Sequence, residues 1–315
     1  MTKLIIQIPC LNEAETLPST LEDIPKLIQG VDIIEILVID DGSTDETTQV
    51  ARDHGVHHIV RHKRRKGLAK AFITGLEECL RLGADIIVNT DGDNQYCGSD
   101  VEKLVQPLLA EEADIVVGCR NIEEIEHFSW MKRKLQRIGS HVVRKLSGTG
   151  VSDTTSGFRA FTRDAAIKLN VISSYTYTIE TLIQAGQKQL IVQSVDVGTN
   201  VKLRESRLVK GISDYVWRSV VTMFRVFTLY RPLRVFTWLG SIVFSLGVVI
   251  GIRYLYLQFF GDKTVEHLAS LILSAVLMIT GFNFFVMGFL GDLIGSNRYL
   301  IEDILSRIKQ SQLKK

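Results

Sequence analysis

Residues 88–95 read Val-Asn-Thr-Asp-Gly-Asp-Asn-Gln, and the acids among them could do chemistry. Asp91 and Asp93 stand at i and i+2 just past an apolar run, where two carboxylates can converge on one hard divalent cation. Mg²⁺ takes one or two protein carboxylates and shares its other positions with water and substrate phosphate. A metal held that way serves a phosphate-bearing substrate. Two plainer readings compete. An acidic pair in a turn is most often simply solvated. A calcium loop could also start at Asp91, but Tyr96 stands where that loop's sharp turn needs Gly, and a strand-like run precedes it.

The elements around the pair decide between these readings. Short apolar runs at residues 4–8, 33–39, 58–60, 85–90, 115–118 and 191–197 predict buried strands. Between the first five, residues 14–28, 44–54, 68–82 and 100–109 carry apolar side chains at helical spacing. Ser43 with Glu46, and Ser99 with Glu102, match capping boxes at two helix starts. Strand–helix alternation predicts an α/β fold, a mostly parallel sheet covered on both faces. Ligands of such sheets bind beyond the carboxyl ends of the strands. Residues 9–13, 40–45 and 91–95 all fall at that edge, which favours the functional reading of the acidic pair. No G-x-G-x-x-G follows the first strand and no G-x-x-x-x-G-K-[ST] occurs, which argues against a dehydrogenase and a P-loop NTPase.

The chain has 315 residues and a net charge of only +2, with both signs mixed along it, so nucleic acid is not an expected partner. Its four cysteines are scattered without metal spacing and read as thiols in a reducing compartment. A strand begins directly after Met1-Thr2-Lys3, so no cleavable signal is expected. Residues 235–260 are charge-free except for Arg253, and residues 268–290 carry no charge. Each exceeds the roughly 20 residues that cross a hydrocarbon core of about 30 Å. Arg218, Arg225, Arg231 and Arg234 precede the first span, and Arg298, Arg307, Lys309, Lys314 and Lys315 follow the second. Positive residues mark the cytoplasmic side, so the expected topology is a two-span, multi-pass membrane hairpin with both ends in the cytosol. The expected organisation is a cytoplasmic catalytic domain at 1–211, an interfacial amphipathic helix at 212–231, the hairpin within 232–291 and a cytoplasmic tail helix at 292–315. The tail's apolar positions suit packing on the catalytic domain or on a second copy of the chain, a homo-oligomer in the latter case.

Six motifs in order carry a resemblance: Ile8-Pro9-Cys10-Leu11-Asn12-Glu13, Asp40-Asp41-Gly42-Ser43-Thr44-Asp45, Lys66-Gly67-Leu68, Asp91-Gly92-Asp93-Asn94-Gln95, Gly118-Cys119-Arg120 and Ser156-Gly157-Phe158-Arg159. Across residues 3–215 the chain resembles family 2 glycosyltransferases of the GT-A nucleotide-diphospho-sugar transferase fold. Within them it resembles the polyprenyl-phosphate glycosyltransferases, such as dolichol-phosphate mannose synthase and its undecaprenyl-phosphate relatives. The resemblance implies transfer of a hexosyl unit, with inversion, from a UDP- or GDP-linked sugar to a polyprenyl phosphate at the cytoplasmic membrane face, with Mg²⁺ or Mn²⁺. It places Pro9, Asn12, Glu13, Asp41, Lys66, Gly67, Asp91 and Gly92 at the donor and Asp91, Asp93 and Gln95 on the metal. It likens residues 202–207, with Arg204 and Arg207, to a segment that closes over the donor diphosphate. Gly92 departs from the alanine usual between the two acids, and Tyr96-Cys97 departs from the usual residues after the Gln.

A phosphate monoester has its second pKa near ~6 and is largely dianionic in the cytosol. As an acceptor it needs cations to aim it, where a sugar hydroxyl would need a base. The resemblance places Arg120 and Arg133 there. Arg137 joins them on spacing alone, one helical turn from Arg133 in a helix predicted over 131–146. Two rival functions are a processive polysaccharide synthase and a catalytically silent membrane scaffold. Against the first stand the missing Q-x-x-R-W and the presence of only two spans; against the second, the intact acids, Gln95 and arginines.

Overall fold

The computed structural model describes residues 1–120, 140, 143–144, 147–171, 177–200, 221, 224–225, 228, 230–260 and 268–313. Its strands are β1 Lys3–Cys10, β2 Ile33–Asp40, β3 His58–Arg61, β4 Ile86–Asn89, β5 Ile115–Arg120, β6 Arg159–Thr162 and β7 Val192–Val197. They form one sheet in the order β3-β2-β1-β4-β6-β5-β7. β6 runs antiparallel to β4 and β5, and the remaining pairs are parallel. The six predicted strands are present. β6 is additional: its Arg-Ala-Phe-Thr holds no apolar run, and its place in the sheet is decided by burial between two neighbours.

The helices that cover this sheet are α1 Leu17–Asp23, α2 Thr47–Asp53, α3 Leu68–Arg81, α4 Val101–Leu109, α5 Arg163–Lys168 and α6 Thr178–Gln187. Successive residues of β1 face opposite layers, as the pleat requires. Leu4, Ile6 and Ile8 enter a core shared with Leu17 of α1 and with Val101, Leu104, Val105 and Leu108 of α4. On the other face Gln7 lies beneath α3, its amide nitrogen 3.5 Å from the Phe72 carbonyl. Two expectations need correction. The helix predicted over 14–28 ends at Asp23, because Ile24 turns extended before Pro25, whose ring disfavours a helical predecessor. Neither capping box forms: α2 and α4 begin at Thr47 and Val101 without a side-chain cap, since both serines lie in preceding turns. Ser43 instead accepts from the Asn12 N–H at 2.9 Å, and Ser99 sits in a 3₁₀ turn, Gly98–Asp100.

The chain runs β1 to β3 in one direction across the sheet and then restarts at β4 on the other side of β1. The carboxyl ends of β1 and β4 therefore border the switch point at which open α/β sheets bind ligands.

Val220–Asp303 forms a second compact unit, while Met1–Ser219 and Ile304–Lys315 form the first. The second contains α7, Pro232–Phe260, and most of α8, Leu268–Leu313, both long and apolar enough to cross a membrane. Glycines let the two approach: a Cβ on Gly281 would lie 2.7 Å from the Phe244 backbone nitrogen, and Ser274 Oγ donates to the Gly247 carbonyl at 2.8 Å. The expected separate tail helix is instead continuous with the second span. The 46 residues of α8 extend about 70 Å at the usual helical rise, well beyond one hydrocarbon core. Within the first unit, Lys309 near the end of α8 donates to Asn170 Oδ1 at 2.9 Å. Of the predicted interfacial helix, Trp217, Arg218, Val220 and Phe227 lie outside the described residues.

Candidate active site

The loops after β1 and β2 are laced together. The Asn12 side chain accepts from Thr44 N at 2.8 Å, and Glu13 N donates to Thr47 Oγ1 at 2.9 Å. Asn12 carries a left-handed backbone (φ 57), a conformation that Asn tolerates. Pro9 is buried within β1, paired with Ile39. The two acids of the β2 turn have separate tasks. Asp40, fully buried, accepts from Ser43 N at 2.7 Å and pairs with Arg61 at 3.2 Å. Asp41, also buried, accepts from Lys66 N at 2.8 Å and Gly67 N at 2.7 Å, and its Oδ1 lies 2.7 Å from His62 Nδ1. Asp41 thus straps down the loop with exposed Lys63, Arg64, Arg65 and Lys66, at whose end Gly67 begins α3.

Asp91, Gly92 and Asp93 follow β4 after one intervening residue, Thr90. Thr16 Oγ1 lies 2.8 Å from the Gly92 carbonyl and 2.9 Å from Glu13 Oε2, which joins the acidic turn to the β1 loop. A methyl group on Gly92 would meet Cys10 Sγ at 3.0 Å, so the glycine and the thiol share space that alanine would crowd. Burial, and after it Glu13, Asp40 and Asp91, push the Cys10 thiol well above its ordinary value, so it stays protonated and no nucleophile. The turn's far side is fixed by residues after β7. Asn200 N donates to the Gln95 carbonyl at 3.0 Å, and its amide donates to Asn94 Oδ1 and the Tyr96 carbonyl, each at 3.2 Å. Among the described residues no three His, Cys, Asp or Glu side chains form a metal cage. Two carboxylates and an amide oxygen suit a hard cation that completes its shell with water and phosphate.

A buried polar relay runs behind Asp91. Gln7 donates to Asn89 Oδ1 at 2.8 Å, and Asn89 donates to the Gly157 carbonyl at 2.8 Å and to Tyr177 Oη at 3.0 Å. The Tyr177 ring stacks on Phe72 at 3.9 Å. Burial and the nearby Asp91 charge hold this phenol protonated. Sequence reasoning missed Gln7, Asn89 and Tyr177. The signal was present for two of them: a Gln and an Asn interrupt the apolar runs of adjacent strands, paired in register.

Arg120 ends β5, as expected. Its Nε donates to Asp153 Oδ2 at 2.8 Å, one Nη reaches Thr155 Oγ1 at 3.4 Å, and its Cζ stands 5.5 Å from the Tyr96 ring centroid. Burial works against the charge of Arg120, but Tyr96, Asp153 and Asp91 outweigh it and raise the pKa further. Burial likewise favours neutral Asp153, yet Arg120 beside it holds that carboxyl below the usual range. A guanidinium has five N–H donors, so this pairing leaves donors for an anion. Arg159 of the same motif is fully buried and braces the turn, donating to the carbonyls of Ser156 at 2.8 Å and Thr154 at 3.0 Å. The structure thus brings Pro9, Asn12, Glu13, Asp41, Lys66, Gly67, Asp91, Gly92, Asp93, Gln95 and Arg120 to one edge of the sheet. Arg133, Arg137, Arg204 and Arg207 lie outside the described residues.

The sheet order, the acidic turn at the switch point and Arg120 at the end of β5 define a GT-A-type sugar-nucleotide transferase fold. The family model for glycosyl transferase family 2 matches residues 5–169, and the chain belongs to that family and is a glycosyltransferase. It is similar to the undecaprenyl-phosphate mannosyltransferase of Micrococcus luteus, with 30% identity covering 67% of this chain and 89% of that one. It is also similar, at 26% identity over 97% of this chain and 94% of the relative, to the undecaprenyl-phosphate 4-deoxy-4-formamido-L-arabinose transferase of Enterobacter sp. (strain 638). Among solved structures, glucosyl-3-phosphoglycerate synthase from Mycobacterium tuberculosis, in complex with Mn²⁺, UDP and phosphoglyceric acid, shares the fold. Its TM-score is 0.55 at 23% identity, covering 70% of this chain and 78% of that one.

Proposed function

We propose that the protein transfers a hexosyl unit from a UDP- or GDP-linked sugar to a polyprenyl phosphate at the cytoplasmic face of the membrane, with inversion. The observation that carries this reading is the pairing, at one sheet edge, of an acidic oxygen-donor turn with a half-buried arginine held by a fully buried carboxylate. Asp91, Asp93 and Gln95 would hold Mg²⁺ or Mn²⁺ on the donor diphosphate, while Glu13, Asp41 and the strap at Lys66–Gly67 would border the nucleotide. A divalent cation, when bound, supplies Lewis-acid stabilisation of the leaving diphosphate. Arg120 would orient the acceptor phosphate, aided by Arg133 and Arg137, and Arg204 and Arg207 would cover the donor. A phosphate oxygen of the acceptor attacks the anomeric carbon, the bond from that carbon to the donor's diphosphate oxygen breaks, and the electron pair leaves with the nucleotide. No proton moves, so the site needs no general base. Two apolar helices and relatives named for undecaprenyl phosphate support a membrane-borne acceptor.

The test is transfer of radiolabelled sugar into the organic phase by membranes carrying the protein, with each sugar nucleotide in turn. Labelled glycolipid is the expected product. Long polymer would favour a polysaccharide synthase, and no product with any donor would favour a silent scaffold.

A further inference from the structure

Tyr96 touches all three parts of the proposed site. Its backbone continues the acidic turn from Gln95 and bridges to Thr199. Its phenol oxygen accepts from Gly157 N at 3.0 Å and from Ser156 Oγ at 3.4 Å. Its ring stacks on Phe158 at 5.0 Å, with Arg120 beside its face. At 4% exposure the side chain is sealed from water, so these contacts are not exchanged for solvent. Gly157, which the phenol holds, is the residue that abuts the Asp91 carboxylate.

We infer that Tyr96 is a positioning residue that holds the metal turn, the Ser156–Phe158 turn and the Arg120 guanidinium in one register, so that donor diphosphate and acceptor phosphate are presented together. This rests on the functional reading above. The ring and the hydroxyl have separable tasks. The hydroxyl fixes Gly157 and through it the seat of Asp91, a donor-side effect. The ring supports the cation of Arg120, an acceptor-side effect, by the attraction of a guanidinium to an aromatic face.

Full-length protein carrying Tyr96→Phe or Tyr96→Leu tests this, with rates measured against Mn²⁺ and against polyprenyl phosphate separately, and thermal unfolding followed in parallel. Tyr96→Phe should raise the metal concentration for half-maximal rate about fivefold, the size of one neutral hydrogen bond, and leave the acceptor KM unchanged. Tyr96→Leu should raise the acceptor KM as well, by at least about threefold. A lower unfolding temperature with both concentration dependences unmoved would make Tyr96 merely structural and overturn the inference. Should Tyr96→Leu fail to fold, Tyr96→Phe decides alone: a shifted metal curve supports the inference and an unshifted one sinks it. Absence of metal-dependent transfer by the wild-type protein would bring down the functional reading and this inference with it, whereas active wild type with unmoved variants brings down only the inference.

Discussion

The carboxylate of Asp91 lies against the bare backbone of Gly157: a Cβ there would stand 3.1 Å from both carboxylate oxygens and 2.8 Å from Tyr177 Oη. Neither neighbour can easily withdraw. Tyr177 is stacked on Phe72 and bonded to Asn89, and Asp91 is tied by chain continuity to β4. The glycine thus sets how deep an acidic side chain can sit at the strand end.

Gly157→Ala should therefore lower kcat at least about tenfold and cost about 1–3 kcal/mol of stability, as overpacking does. Adding Tyr177→Phe removes the closer of the two contacts together with the hydrogen bond from Asn89, so it should recover only part of the stability and none of the rate, because the press on Asp91 remains. Denaturation midpoints and transfer rates of the two variants check this. Equal recovery of both would point to Tyr177 and away from Asp91.

Asp93→Ala should reduce transfer at least about 100-fold, the scale on which loss of one preorganised electrostatic contact to a transition state is felt. Chelation should abolish wild-type transfer, and Mn²⁺ or Mg²⁺ should restore it. Near-normal turnover by Asp93→Ala would remove this residue from the metal set.

The Arg120–Asp153 pair predicts an acid-sensitive contribution to stability. Its carboxyl pKa is depressed in the folded state by Arg120, so the contribution is complete above the unfolded value near ~3.9 and fades as pH falls through the lower folded value. Asp153→Asn should cost about 2–4 kcal/mol at neutral pH, because it takes the carboxylate from a guanidinium that water reaches only in part. The gap between variant and wild type should close as pH drops below about 4. Denaturant titrations at stepped pH would show it, and a gap independent of pH would mean that the pair is not what the substitution breaks.

Much of this was legible in the chain because apolar runs and acid-ended strands are local signals. The strands ending at Cys10, Asp40 and Asn89 follow from buried periodicity, and so does the edge where Glu13, Asp41 and Asp91 gather. What was not legible depends on neighbours distant in sequence. β6 is a strand only because β4 and β5 flank it. Ser43 gives up the expected helix cap because Asn12, brought near by the β1–β2 pairing, offers its N–H. The departure of Gly92 from the usual alanine has its reason in Cys10 Sγ, which stands in the space a methyl group would take. Tyr96 stood out only as a departure from the usual residues after Gln95; its contacts had no local signal, since Gly157 and Arg120 come from other elements.

The last prediction concerns the membrane. Clusters of arginine before α7 and in the second half of α8, with the short link at 261–267 between two apolar helices, predict that the link faces away from the cytosol. Of the native cysteines, Cys10, Cys79 and Cys119 are buried and only Cys97 is half-exposed, so a Cys97→Ser background should be nearly silent to a maleimide. In that background Lys263→Cys should be labelled by a membrane-impermeant maleimide on intact cells. Gln310→Cys, exposed near the end of α8, should be labelled only after permeabilisation. The reverse pattern would place the glycosyltransferase unit on the outer face. There the cytosolic pool of sugar nucleotide could not reach Asp91 and Asp93, and the proposed reaction would lose its donor.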